Sequence, residues 1–287
     1  MGSRPGVRTA PLLAAMLVLA GCSGATGIGG TPTRSVTPAP VPADATPPAR
    51  TTAPGLSPRG VENASLLASA HRRVLAGAPF TERTVTTVRD GNGTVLGRRT
   101  LVVRHGPEAF RIGYAVEGGP RREARSFGTV AAAVWSDGRT TVQSITDGDG
   151  SVERSRVPSG FYADFVDPEA SLYAQTLARA HLRRADRRVV DGTTRYVFVA
   201  EGLDPSPAFA LPGASPTGNA SVRAVVGANG VLHRVTVTFP ARYRGRSATV
   251  DHVFEYTGIG TTTAPRPRWY AEAVENGTPT PGLRAEG

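Results

Sequence analysis

The chain has 287 residues, a formal net charge of +10, one cysteine and no lysine, so that all 33 of its basic side chains are Arg. A lone cysteine excludes an internal disulfide framework, and the lack of lysine excludes a Walker-type phosphate loop. The basic excess suits anionic headgroups or nucleic acid. Its Arg pairs, Arg72-Arg73, Arg98-Arg99, Arg121-Arg122, Arg183-Arg184 and Arg187-Arg188, are scattered and accompany no recognition motif, which argues against nucleic acid.

Residues 1–21 predict a lipoprotein signal peptide: Arg4 and Arg8, an apolar run from Pro11 to Ala20, then Leu19-Ala20-Gly21-Cys22, a lipobox. The run is too short to span a bilayer, which takes ~20 apolar residues. Cleavage before Cys22 and lipidation of its thiol would hold the mature chain at the outer face of the cytoplasmic membrane, an extracytoplasmic address. A buried or disulfide-bonded Cys22 is the competing reading, opposed by the absence of a second cysteine. Removing residues 1–21 takes away two Arg and no acid, so the mature chain stays basic.

Residues 22–60 predict a disordered tether rich in Pro, Thr, Ala, Gly and Ser, as in Thr31-Pro32-Thr33 and Thr46-Pro47-Pro48. Such a segment reaches roughly 35 Å as a flexible coil and ~120 Å as extended polyproline II. Sequons at Asn63, Asn92, Asn219 and Asn276 fall where caps, turns or a tail are expected, so Asn there serves local structure as well as it serves glycosylation.

A single domain is expected over 61–276, and a disordered tail over 277–287. It opens on a helix capped by Asn63 or Ser65, with Leu66, Leu67, Ala70, Val74 and Leu75 at helical spacing before Gly77. Strands in hairpins follow, because turn sequences recur: Asp90-Gly91-Asn92-Gly93, Asp137-Gly138, Asp147-Gly148-Asp149-Gly150, Asp191-Gly192 and Asn229-Gly230. Phe110, Ile112, Tyr114 and Val116 alternate with Ala109, Arg111, Gly113 and Ala115, so one face of that strand is built for burial. Val231, His233, Val235, Val237 and Phe239 repeat the pattern, as do Ala248, Val250, His252, Phe254 and Tyr256. Asp167 and Pro168 start a second helix with an apolar stripe at Ala170, Tyr173, Leu177 and Ala180. Residues 202–218, rich in Pro and Gly but holding Phe209 and Leu211, read as a long loop or lid. Trp269 and Tyr270 predict a short docking helix near the C-terminus.

The five His residues form no metal-binding or HExxH spacing, and no G-x-S-x-G elbow occurs. Asp147-Gly148-Asp149-Gly150-Ser151 and Asp90-Gly91-Asn92-Gly93-Thr94 imitate calcium loops, but Val152 and Val95 stand where the sixth-position glycine belongs. The reading is therefore non-enzymatic, with no cofactor and no metal.

The stretches Phe80–Val88, Val95–Val103, Phe110–Val116 and Ala131-Ala132-Ala133-Val134-Trp135-Ser136-Asp137-Gly138-Arg139 resemble the half-barrel lipoprotein carriers of the LolA and LprG type. That resemblance implies an α+β fold, a curved antiparallel sheet packed on two or more helices, with an apolar groove for acyl chains. Glu62-Asn63-Ala64-Ser65, Trp135-Ser136-Asp137-Gly138, Asn219-Ala220-Ser221-Val222-Arg223-Ala224, Gly230-Val231-Leu232-His233-Arg234 and Arg266-Pro267-Arg268-Trp269-Tyr270 resemble an uncharacterised group of haloarchaeal surface lipoproteins. Those proteins are usually acidic, and this chain departs from them in being basic; an actinobacterial half-barrel lipoprotein is the alternative. The expected activity is binding or carrying a lipid or other hydrophobic ligand, by a monomer without a nucleic-acid partner. The expected lining is Phe110, Ile112, Tyr114, Trp135, Tyr173, Leu177, Val237, Phe239 and Phe254. The alternative is a cell-envelope structural or interaction protein with a filled core and a basic partner-binding surface.

Overall fold

The computed structural model describes residues 53–118, 129–162 and 180–276. Strands β1 (Phe80–Arg89), β2 (Val95–His105), β3 (Phe110–Glu117), β4 (Thr129–Ser136), β5 (Thr141–Asp147) and β6 (Val152–Val157) form one antiparallel meander. Strands β7 (Arg183–Val190), β8 (Thr193–Leu203), β10 (Ala220–Gly227), β11 (Leu232–Tyr243) and β12 (Arg246–Thr257) form a second antiparallel set, with β9 (Ala214–Pro216) beside β11. The first and last strands then pair, from Thr81↔Thr257 to Arg89↔Thr249. One 12-stranded sheet results, eleven strands in the order β6-β5-β4-β3-β2-β1-β12-β11-β10-β8-β7 and β9 paired with β11 off that path.

Helix α1 (Ala64–Leu75) starts where Asn63, not Ser65, accepts the Leu66 amide at 2.9 Å. Its Leu67, Ala70, His71 and Leu75 are buried at helical spacing, whereas Leu66 faces solvent at 51% exposure. Asn63→Ala removes one capping bond and is expected to cost about 1 kcal/mol, read as a lower urea midpoint at unchanged slope.

Residues 53–60, expected in the tether, pack on the domain: Ala53 and Leu56 are buried, and Leu56 and Gly60 bridge to Val61 and Arg183. Gly55 (φ +85°) makes this possible, because its carbonyl accepts the Glu62 and Asn63 amides at 2.9 and 3.2 Å. A Cβ there would lie 2.2 Å from the Asn63 carbonyl oxygen, so no larger residue fits.

Two further expectations change. Residues 202–218 are not a lid: they contain a 3₁₀ turn (Pro207–Phe209) and β9, and Phe209 and Leu211, at 1% and 5% exposure, are part of the core. On β11 the alternation breaks, because the register with β10 steps from Val225↔Arg234 to Val226↔Leu232; this bulge buries Leu232 and leaves His233 half-buried. Among the described residues α1 is the only helix longer than six residues; the helix expected from Asp167, with Tyr173 and Leu177, lies outside the described residues. No helix among the described residues is long and apolar enough to cross a membrane.

At the C-terminus, α2 (Tyr270–Glu275) buries Ala273 against Trp135 and Val142. The Trp135 indole donates to the Ala264 carbonyl at 3.0 Å, and the Arg266 guanidinium lies over Trp135 and Tyr270 at 5.3 and 4.5 Å. Arg154 meets both carboxylate oxygens of Glu272 at 2.8 Å. The aromatic pair at 269 and 270 is thus a packing clasp.

Candidate functional site

Residues paired across antiparallel strands project to the same side of a sheet, so the register defines an inner face. Glu82, Thr84 and Thr86 of β1 stand beside Tyr256, Phe254 and His252 of β12 and beside Val103, Leu101 and Arg99 of β2. Across β3, β4 and β5 the same face continues through Ile112 and Tyr114, Val134 and Ala132, and Gln143 and Ile145.

This face has two unlike halves. From β12 to β8 it is filled: Phe198, Val222, Ala224, Val237, Phe239, Val250 and Phe254 are at most 2% exposed, with Leu67, Leu75 and Phe209 packed among them. From β2 to β5 the only buried cluster among the described residues is Val103, Ile112 and Val134, with Leu101, Phe110 and Tyr162 half-buried against it. Tyr114, Val116, Ala132 and Ile145 are half-buried as well. The result is a half-buried apolar strip, with the Tyr162 hydroxyl donating to Gln143 Oε1 at 2.6 Å at its β5 side. Burial pushes the Tyr114 phenol up from its ordinary pKa, with Arg99 opposing.

Polar groups mark the seam between the halves. The Arg99 guanidinium donates to Thr86 Oγ1 at 3.5 Å, and the Thr86 hydroxyl is hydrogen-bonded to His252 Nδ1 at 2.9 Å, in the direction the ring tautomer sets. Phe209 lies 4.8 Å from the His252 ring. Thr86 and His252 are 0% and 3% exposed, so this pair is sealed from any substrate and serves to satisfy a buried ring. His71 accepts the Leu232 amide on Nδ1 at 3.2 Å and sets its ring edge-on to Tyr256 at 4.6 Å. Burial holds both imidazoles near pKa 4. Glu82, beside Tyr256, is pushed up to about 7 by burial, the Tyr256 hydrogen bond opposing. Among the described residues no cluster of three His, Cys, Asp or Glu could hold a metal ion.

Two solved structures are similar to the chain. The lipoprotein LppX of Mycobacterium tuberculosis is 13% identical, with 70% of this chain and 98% of that one covered at a TM-score of 0.36. A domain from Vibrio parahaemolyticus described as an outer membrane lipoprotein-sorting protein is 9% identical, with coverages of 75% and 100% and a TM-score of 0.24. No family model and no curated protein matches the chain.

The residues expected to line a groove are divided by the structure. Phe110, Ile112 and Tyr114 lie on the strip. Val237, Phe239 and Phe254 belong to the filled half, each 0% exposed. Trp135 pairs with Arg111 rather than Ile112, which puts it on the opposite face under the C-terminal clasp. Tyr173, Leu177 and Cys22 lie outside the described residues. Leu101, Ala132, Ile145 and the half-buried Glu82 join the site without having been expected there.

Proposed function

We propose that the chain is an extracytoplasmic lipoprotein, anchored through lipidated Cys22 to the outer face of the cytoplasmic membrane, that carries a lipid or similar hydrophobic ligand as a monomer and without catalysis. Its sheet curls as a half-barrel around that cargo. The observation that supports this reading is the contrast within the inner face: one half filled by its own side chains, the other an apolar strip of half-buried Leu101, Tyr114, Ala132 and Ile145. A monomeric protein gains by covering such a strip with an apolar partner. The filled half favours the second reading, an envelope interaction protein.

Native mass spectrometry with organic extraction, on the chain from Ser23 onward exported by its own host, tests the proposal. A lipid in stoichiometric amount is expected. Ile145→Asp sets a carboxylate against the strip and should lower occupancy by about tenfold, since an unpaired charge beside an alkyl chain is costly. A clean ligand-free mass, unchanged after addition of host lipid extract, would sink the carrier reading in favour of the second.

A further inference from the structure

Arg without an ion pair is common on the outward face of the sheet, where Arg104 stands opposite Arg111, Arg111 opposite Trp135, and Arg223 opposite Thr236. Arg99 differs from these in place rather than in charge. Its partners in register are Thr86 of β1 and Val116 of β3, and it is the one Arg that the pairing puts on the inner side of β1 to β6. It stands one row beyond the strip, because Leu101, two residues along β2, pairs with Tyr114, Tyr114 with Ala132, and Ala132 with Ile145. The guanidinium is close enough to Tyr114 to oppose the upward shift of its phenol. Arg99 and Val116 are both half-buried, so a cation borders the apolar strip without being sealed from solvent.

Little inside the protein uses this cation. Among the described residues no carboxylate pairs with it. Its hydrogen bonds, to Thr86 Oγ1 and to the Ala208 carbonyl, are long, 3.5 and 3.4 Å, and both come from Nη2. A guanidinium carries about five N–H donors in a planar fork, so most of the fork is left for another acceptor. The acids on the same side stand away from it. Glu82 is two rows past the strip, beside Val103, ~13 Å along the strand from Arg99. Glu153, opposite Ile145, is on β6, ~19 Å across the sheet from β2. An apolar tail laid on the strip would strip water from the guanidinium, which is costly unless an anion comes with it. The arrangement therefore suits one shape of ligand, an alkyl chain that ends in an anion.

We infer that Arg99 receives the head group of the cargo, and that the cargo is an anionic amphiphile, its carboxylate or phosphate held by the guanidinium while its tail lies on Leu101, Tyr114, Ala132 and Ile145. This rests on the carrier reading above and adds to it the sign of the head group. Arg presents two parallel N–H groups to a carboxylate or a phosphate, a fit that Lys lacks. The half-buried, apolar surroundings make the pair stronger than one in open water. Charge-assisted hydrogen bonds of this kind favour an acid over the alcohol of equal tail length by about tenfold or more.

The test is displacement of Nile red, a neutral apolar probe, from the chain starting at Ser23 and stripped of co-purifying lipid. The competitors are palmitate, hexadecyl phosphate and hexadecanol, which share a tail length and differ in the head. At least one of the two acids is expected to displace the probe at about tenfold lower concentration than hexadecanol, with the advantage shrinking at high salt. The order of the two acids tells a carboxylate head from a phosphate one. Arg99→Gln should bring both acids to the level of hexadecanol without moving hexadecanol itself, and Arg99→Lys should keep part of the preference. Arg223→Gln, which removes the same charge from the exposed outward face, should change each competitor by less than ~twofold. Equal displacement by acids and alcohol in the parent chain, an acid preference that survives Arg99→Gln, or one lost equally in Arg223→Gln would overturn the inference and leave the carrier reading in place. Loss of hexadecanol displacement along with that of the acids in both Arg99 variants would make Arg99 a support of the fold and overturn it too. Displacement by none of the three in the parent chain, with no lipid found by mass, would remove the carrier reading and this inference together.

Discussion

Phe254→Ala is expected to destabilise the domain by about 4 kcal/mol, within the range found when a buried Phe is cut back to Ala. Phe254 is 0% exposed and stands on β12 between Thr84 of β1 and Val235 of β11, with the Tyr256 ring edge-on at 4.7 Å. Its position matters as much as its size. The β1–β12 pairing is what joins the two meanders into one sheet, so a void there removes contacts on both sides of the seam, and backbone held in ladders on each flank can collapse only partly into it. Phe254→Leu should recover about half of the loss by refilling most of the volume. Ile145→Ala on the strip gives the comparison: a half-buried side chain in a loosely covered region should cost about 1 kcal/mol in the ligand-free protein. Urea unfolding of the three variants reads these differences. A Phe254→Ala cost no larger than that of Ile145→Ala would mean that the filled half does not dominate stability.

The parts of the fold that local chemistry determines could be read from the sequence. Turns at Asp90–Gly93, Asp137-Gly138, Asp147–Gly150, Asp191-Gly192 and Asn229-Gly230 all fall between paired strands. Asp191 and Gly192 show why: both take positive φ, 50° and 72°, as a two-residue hairpin turn of matching twist requires. On β12 the alternation of Ala248, Val250, His252, Phe254 and Tyr256 is reproduced without exception. The same physics hid the rest. On β2 and β4, Leu101-Val102-Val103 and Val130-Ala131-Ala132-Ala133-Val134 are apolar at both parities, so a period of two carries no signal about which residues face inward. Leu101 and Ala132 could be assigned to the strip only from register. Trp135 was misplaced for the same reason, since one residue of offset moves a side chain to the other face. His233 was displaced by a bulge, and Phe209 by a loop whose apolar residues find a core that only the tertiary fold supplies.

Acidification from pH 7 to pH 4 is expected to remove on the order of 5 kcal/mol of stability, because the domain folds around neutral imidazoles. His71, His105, His233 and His252 are each lowered from 6.5 to about 4, in every case chiefly by burial. Between those values the unfolded chain binds protons that the folded chain refuses. Stability carried by these groups is therefore fully present above pH 6.5 and is lost as pH falls towards 4. For His71 and His252, 6% and 3% exposed, the cost approaches about 3 kcal/mol each; the half-buried His105 and His233 contribute less after solvent screening. Glu82 works in the opposite sense. Raised to about 7, it keeps a proton in the folded state that the unfolded chain has released above 4.5, so its contribution falls as pH rises from 4.5 to 7 and offsets part of the histidine slope. Urea unfolding at pH 7, 5.5 and 4 reads the net effect. Glu82→Gln should steepen the dependence over this range by removing the opposing proton, whereas His71→Gln should flatten it, since Gln can still accept the Leu232 amide but takes up no proton. A stability that is level from pH 7 to 4 in the unmodified chain, or a His71→Gln slope equal to the parent's, would show that these rings are protonated inside the fold at ordinary pKa.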